Sequence, residues 1–213
     1  MNLQGKKILI TAGPTWVSID SVRVISNIAT GRTGILLAQE AAIRGARVTL
    51  VMGPCGECRL NKPVRLIRFQ YFDELKKILT SRLRNNRYDI IIHSAAVSDF
   101  KPEYVSGRKL DSNRGHRLRL MPLFKLVVLI RRMGIGAKLV MFKLETGITD
   151  KALIYRAKSA REKNGADLIV ANRLNPYRAF IINKENNQIS ARTKQDLAKK
   201  LIKVLFRNPE TKR

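Results

Sequence analysis

"ISNIATGRTGILLAQEAAIRGARVTLV", residues 25–51, is the stretch on which the fold turns. Gly31 and Gly34 lead into a helical pattern over 32–45 that Gly45 closes, and a β-branched run, 46–54, follows. A glycine-rich turn opening a helix aims backbone N–H groups and the positive end of the helix dipole at one spot, which suits an anion. The run before it, KKILITAG (6–13), has the composition of a strand. Strand, turn, helix and strand in that order make the repeating unit of a parallel sheet.

The alternation continues outward from there. VRLIRFQ (64–70) reads as a strand and FDELKKILTSRLRNN (72–86) as a helix. YDIIIHSAAVSDF (88–100) is almost continuously apolar until its end, which puts it near the centre of a sheet covered on both faces. From Lys101 to Asn113 periodicity disappears, and Pro, Gly and Ser indicate a long loop of the kind that often acts as a lid. HRLRLMP (116–122) alternates as an edge or dimer strand does, and LFKLVVLIRRMG (123–134) is a helix with a basic end. A strand over 137–145, a helix over 149–165, a strand over 166–172, a hairpin over 179–191 and a helix over 193–206 complete the pattern, with no internal repeat.

A chain of 213 residues suits one domain, 1–213, with a full-sized core. Its mean hydropathy of -0.17 is ordinary for a water-soluble protein. No apolar run approaches the ~20 residues that span a bilayer, so no membrane association is expected. The first residues enter a strand pattern without a signal-like apolar segment, so a cytoplasmic location is expected. Two cysteines, Cys55 and Cys58 in GPCGECRL, form a lone C-x-x-C, and the two histidines, His93 and His116, lie far from it in sequence. A structural zinc site needs a second pair of ligands, so surface-loop thiols are the simpler reading, with a redox or metal role across a dimer as the other.

The charge is extreme: 42 Lys and Arg against 16 Asp and Glu, a net +26. Such a surface attracts anions and raises nucleic acid as a partner. The basic residues are nevertheless spread over the whole chain, with few aromatics between them for base stacking. Nucleic acid is therefore possible but not favoured, and a phosphate-rich substrate fits equally well.

Four predicted strands end in small or polar residues: AGPT (12–15), AAVSD (95–99), FKLET (142–146) and VAN (170–172). Ligands of open α/β sheets bind outside the carboxyl ends of the strands, so these four endings point to one crevice. A dinucleotide site would carry its glycines immediately after the first strand. Here Gly31 comes 18 residues after Gly13, behind the loop PTWVSIDSVRVISNIAT, which brings Asp20, Arg23 and Asn27 to the same mouth. No tyrosine has a lysine four residues on, the pairing that tunes the acid in many hydride-transferring α/β enzymes; Tyr155 reaches Lys158 at three. Hydride transfer is not the expected chemistry on these grounds.

ILITAGPTWVSIDSVRVISNIATGRTG, AAVSDF, the lysine of RKLDS, FKLET and DLIVAN, in this order and spacing, resemble the phosphopantothenoylcysteine synthetase (phosphopantothenate–cysteine ligase) family over essentially the whole chain. The resemblance implies a Rossmann-like three-layer α/β sandwich with a mostly parallel central sheet and a flap and dimerisation segment at about 101–116. It implies a ligase that joins 4'-phosphopantothenate to L-cysteine through an acyl nucleotidylate made from CTP or ATP, with Mg2+ and release of pyrophosphate. A homodimer with composite sites and a separate flavin-dependent decarboxylase partner are implied too. The chain would be either a stand-alone ligase or an excised half of a fused protein. The alternative from another class is a basic nucleic-acid-binding α/β protein that has lost catalysis.

Residue by residue, the resemblance makes Asn27 and Lys109 catalytic. Arg23, Asn27, Ala95, Ala96 and Asp99 would bind the phosphorylated acid, with Arg23 reaching the phosphate of the neighbouring subunit. Gly13, Gly31, Gly34, Asp99, Lys109, Phe142 and Asn172 would bind the nucleotide. Lys109 stands ten residues beyond Asp99, the family spacing for a flap lysine. An amide such as Asn27 can both donate and accept, a guanidinium fork suits a phosphate dianion, and a lysine on a mobile loop suits lid closure. No protein metal cluster is expected. The sequence departs from bacterial CTP users at MPLFKLV, where they often carry KNPDIV, and at Ala160 and Asn164, where they carry base-reading lysines. The nucleotide is left open between CTP and ATP.

Overall fold

The computed structural model describes residues 3–56 and 59–206. The chain begins with β1 (Lys7–Ala12), a small hairpin of β2 (Trp16–Ser18) and β3 (Val24–Ser26), α1 (Arg32–Ile43), β4 (Arg47–Met52), β5 (Arg65–Arg68) and α2 (Phe72–Asn85). Next come β6 (Ile90–His93), β7 (Phe100–Pro102), β8 (Leu120–Pro122), α3 (Leu126–Met133), β9 (Lys138–Leu144) and α4 (Asp150–Lys163). The chain closes with β10 (Leu168–Arg173), β11 (Arg178–Ile182), β12 (Gln188–Ala191) and α5 (Lys194–Leu205).

Eight strands form one sheet in the order β12-β11-β10-β9-β6-β1-β4-β5. The six from β5 to β10 are parallel, and the hairpin β11–β12 adds two antiparallel strands at one edge. Strand alternation distributes the core. Ile8, Ile10, Ile90 and Ile92 face the layer of α1 and α5, while Leu9 and Ile91 face α2, α3 and α4. The result is the three-layer α/β sandwich, doubly wound, and the winding reverses between β1 and β6. That reversal opens a crevice beyond their carboxyl ends.

Local chemistry sets the helix starts. Thr149 and Thr193 cap α4 and α5 by accepting from the N–H groups of Ala152 (3.2 Å) and Asp196 (3.0 Å). Glu74 reaches back to the N–H groups of Gln70 and Tyr71 at the start of α2. Asn164, at the close of α4, donates to the Ala160 carbonyl at 2.8 Å, so these two positions finish a helix together.

As expected, AAVSD (95–99) follows a central strand: β6 stops at His93, and the Ser94 hydroxyl and N–H both turn onto the Thr11 carbonyl. Two expectations are corrected. The segment 116–122 is not an edge of the main sheet, since only 120–122 is strand and it pairs antiparallel with β7. The expected helix over 123–134 starts at Leu126, because the Leu123 N–H is held by the Asp99 carbonyl at 2.8 Å. Cys55 is half-buried against the α1 side of the core, whereas Cys58 lies outside the described residues. No described helix is long and apolar enough to cross a membrane.

Candidate functional site

The floor of the crevice is made by the chain leaving β1 and β6. The Ala96 N–H donates to the Gly13 carbonyl (2.9 Å) and the Thr15 N–H to the Ala96 carbonyl (3.3 Å), so the two exits run side by side past the sheet. Gly13 has φ 77°, and a Cβ there would lie 3.1 Å from the Gly53 nitrogen. Only glycine satisfies both demands. Thr15 and Ser98 lie beneath, buried and hydrogen-bonded to each other at 3.0 Å.

The α1 N-terminus opens onto this floor. Gly31, at φ 67°, is its N-cap and has no side chain to cap the helix, and only the Thr30 hydroxyl reaches in, accepting the Arg32 N–H at 3.5 Å. The first N–H groups of a helix have no partner within it, so this end presents donors and a positive dipole to an anion. Gly34 has a packing reason of its own: a Cβ would sit 2.3 Å from the Ala12 Cβ, so only glycine lets α1 approach β1 this closely.

Asn27 spans the gap between the β3 exit and the β6 exit. Its Nδ2 donates to the carbonyls of Ala96 and Val97, each at 3.1 Å. Asn27 caps no helix, and its carbonyl oxygen is left to accept from a ligand. Ala95 and Ala96 are half-buried and bring backbone rather than bulk to the mouth. Asp99 is exposed, and its Oδ1 takes the Lys125 ammonium at 2.5 Å. Lys125 is the N-cap residue of α3, and it is a cation at the mouth that strand-end reasoning misses because it lies 26 residues from its partner.

The segment expected as a flap, about 101–116, lies mostly in the loop between β7 and β8, which is bonded to the turn between β2 and β3. Lys109 is exposed on it, and none of the described residues pairs with its ammonium. Its neighbour Leu110 is held: the Leu110 N–H donates to Asp20 Oδ2 at 3.0 Å, and Arg23 Nη1 donates to the Leu110 carbonyl at 3.3 Å. Arg23 also pairs with Asp20 at 2.5 Å. The Leu110 N–H, opposed by burial and helped by the N–H groups of Val22 and Arg23 and the Arg23 guanidinium, holds the Asp20 carboxyl well below the usual carboxylate range. Phe142 and Asn172 lie half-buried near the ends of β9 and β10, one and two strands from β6. The Asn172 carbonyl accepts the Glu145 N–H at 3.1 Å.

Apart from Gly34, which packs α1 on β1, and Asp99, which pairs with Lys125, the candidates fall into three groups. Gly13, Gly31, Asn27, Ala95 and Ala96 surround the switch point; Asp20, Arg23 and Lys109 belong to the wall above; Phe142 and Asn172 extend the crevice along the sheet. His93, at the end of β6, bonds Thr11 Oγ1 through Nδ1 (2.8 Å), and burial pushes its pKa down to about 4. Among the described residues no three His, Cys, Asp or Glu side chains converge as a metal site.

Residues 3–207 match the family described as the DNA/pantothenate metabolism flavoprotein C-terminal domain. The chain is 34% identical over 206 residues to the coenzyme A biosynthesis bifunctional protein CoaBC of Thermococcus kodakarensis, covering 97% of this chain and 49% of that protein. It is 35% identical over 219 residues to CoaBC of Borreliella burgdorferi, covering 96% of this chain and 53% of the relative. The chain thus spans about half the length of these relatives. Among solved structures, the DNA/pantothenate metabolism flavoprotein from Streptococcus pneumoniae superposes with a TM-score of 0.85 at 26% identity, covering 94% of this chain and 98% of that one. With its doubly wound sheet, its crevice at the β1–β6 reversal and a match over nearly its whole length, the chain belongs to the DNA/pantothenate metabolism flavoprotein C-terminal domain family.

Proposed function

We propose that the chain is a phosphopantothenate–cysteine ligase. The 4'-phosphopantothenate carboxylate attacks the α-phosphorus of CTP or ATP, and the bond to the β-phosphate oxygen breaks to release pyrophosphate. The cysteine amine then attacks the acyl carbon and expels the nucleoside monophosphate, losing a proton as the amide forms. The observation that carries this reading is the meeting at one crevice of a glycine-capped helix N-terminus, the Asn27 bridge to Ala96 and Val97, and a flap whose Lys109 ammonium has no partner among the described residues.

The chemistry asks for positioned donors and cations where charge accumulates on phosphate, not for a nucleophile of the protein. In this reading the α1 N–H groups and Gly13 receive the phosphates, and Lys109 closes on them with the flap. The Asn27 carbonyl orients the incoming amine while its Nδ2 stays on the two main-chain oxygens. Phe142 and Asn172 flank the base. Mg2+ would supply charge neutralisation to the triphosphate; of the two described carboxylates at the mouth, Asp99 could share it through Oδ2, its Oδ1 being held by Lys125, whereas both Asp20 oxygens already accept N–H groups. An ion carried on phosphate oxygens beside one carboxylate fits that donor set.

We extend the reading to a homodimer. Exposed Val22 on the hairpin, Ile28 just after it, and Tyr104 and Val105 on the flap would give a second copy apolar side chains to cover, and the Arg23 side chain is 39% exposed. A separate flavin-dependent decarboxylase would supply or take the neighbouring half of the relatives' chemistry. The test is incubation with 4'-phosphopantothenate, cysteine, Mg2+ and CTP or ATP, following pyrophosphate. Pyrophosphate that depends on both acid and nucleotide is expected. Its absence with either nucleotide, together with salt-sensitive binding of DNA or RNA, overturns the ligase in favour of a nucleic-acid-binding role for the +26 surface.

A further inference from the structure

We infer that Asp20 is a positioning residue that clasps the flap to the β2–β3 hairpin and thereby sets the reach of Lys109. The kinetic part of this inference rests on the ligase reading above; the structural part does not.

Asp20 sits in the turn between β2 and β3, and its side chain has no exposed surface. A carboxylate that far from water needs its oxygens filled, and these are. Oδ1 accepts the N–H groups of Val22 (2.8 Å) and Arg23 (2.6 Å), which closes the turn. Oδ2 accepts Arg23 Nη1 and the Leu110 N–H, and the second of these crosses 90 residues to the flap. Two further bonds join the same elements: Arg23 Nη1 to the Leu110 carbonyl (3.3 Å) and the Ser106 N–H to the Ile19 carbonyl (3.1 Å). The flap is thus gripped at Ser106 and at Leu110, and Lys109 is adjacent to the second grip. Each Asp20 oxygen has its own task, one local and one on the flap.

That division makes a selective variant possible. In Asp20→Asn a single carbonyl oxygen remains; kept on the turn, it leaves the amide NH2 facing two other donors, Arg23 Nη1 and the Leu110 N–H. The turn survives and the clasp does not. Hydrogen exchange at Leu110 and Ser106 in Asp20→Asn should speed up about 10-fold to 100-fold, the range for losing one hydrogen bond to a charged group, while β1 amides keep their protection. Leu110→Pro, which deletes the donor and leaves the carboxylate, should loosen Ser106 similarly and serves if Asp20→Asn does not fold.

For turnover, Asp20→Asn should lower the kcat of acid-dependent pyrophosphate formation by about 10-fold or more with a smaller rise in the KM for nucleotide, as expected when a group that holds the phosphates and counts most in the transition state is misplaced. In a Lys109→Gln background it should add nothing, since a residue acting through Lys109 has no effect once Lys109 is gone. Unchanged exchange at Leu110 and Ser106 overturns the clasp, and multiplicative losses in the double variant overturn the route through Lys109. If the parent protein forms no pyrophosphate with either nucleotide, the ligase reading fails and the exchange arm alone decides the clasp.

Discussion

The two sides of the crevice are built by different means. The floor, at the ends of β1 and β6, is main chain: glycines that admit no Cβ, exits bonded N–H to carbonyl, and isoleucines packed on both faces of the sheet below. The wall, made of the β2–β3 hairpin and the flap, is held by a few polar bonds that converge on one buried carboxylate. A floor of that kind resists change because its geometry is shared by many contacts. A wall of that kind can open at the cost of very few, which is what the proposed triphosphate site would require.

The largest expected effect lies on the wall and leaves the fold intact. Lys109→Gln removes an exposed cation with no partner among the described residues, so the melting temperature should stay within about a degree of the parent's, an exposed substitution costing under ~0.5 kcal/mol. Pyrophosphate formation should fall about 100-fold to 1,000-fold, the usual loss for one preorganised electrostatic donor. Parent-like turnover in this variant would remove the flap from the chemistry and reduce the contrast to one of stability alone.

The next effect belongs to the two sides' titration. His93 in the floor is neutral and its pKa is lowered to about 4 by burial, against an ordinary value near 6.5. The unfolded chain therefore binds the proton first as pH falls, and stability declines between about 6.5 and 4, by up to ~3 kcal/mol at the full shift, then levels off. Asp20 in the wall is held below the ordinary carboxylate range, so its contribution is complete above that range and fades only as pH falls through its own depressed value. Denaturant melts from pH 7 to 4 should show the floor weakening while Leu110 exchange, corrected for its intrinsic pH dependence, stays slow. Loss of Leu110 protection ahead of global stability would reverse the order proposed for the two sides.

A smaller but purely steric effect tests the floor directly. Gly34→Ala puts a methyl 2.3 Å from the Ala12 Cβ, inside any allowed contact, so α1 must move off β1. Overpacking of this sort costs about 1–3 kcal/mol, and thermal melting should report it. Gly107→Ala, on the flap where a Cβ meets nothing within 4 Å, is the matching change on the wall and should cost under ~0.5 kcal/mol. Equal losses at the two positions would abolish the distinction between floor and wall.

The same contrast explains what could be read from the sequence. The floor was legible because its causes are local: β-branched runs give strands, Gly31 marks a helix start, and the small residues after each strand mark the carboxyl ends of a parallel sheet. The wall was not. Asp20 and Leu110 stand 90 residues apart, and Asp99 and Lys125 stand 26 apart with no periodicity to join them. The short strands β2, β3, β7 and β8 are three residues each, too short to show an alternating pattern above the noise of a loop. Position 116–122 does alternate, yet the pattern alone does not say whether its partner is the main sheet, another subunit or the other arm of a ribbon.

Lys125 is where the smallest effect is expected and where the two sides touch, since Asp99 leaves the β6 exit and Lys125 opens α3. Both side chains are more than 60% exposed, at 61% and 63%. An exposed pair contributes under ~1 kcal/mol and is screened by salt, so Lys125→Ala should barely move the melting temperature at 0.15 M salt. Its consequence for binding has the same sign as a simple loss of positive charge but a different dependence on Mg2+. Freed of its ammonium, Asp99 becomes a bare carboxylate at the mouth, where it repels a triphosphate but can take a share of Mg2+. The KM for nucleotide should then rise a few-fold at low Mg2+ and return toward the parent value as Mg2+ is raised, whereas Asp99→Asn should show no such recovery. A Lys125→Ala variant whose KM is unchanged at every Mg2+ concentration would mean that this ion pair belongs to the wall's scaffolding and not to the binding surface.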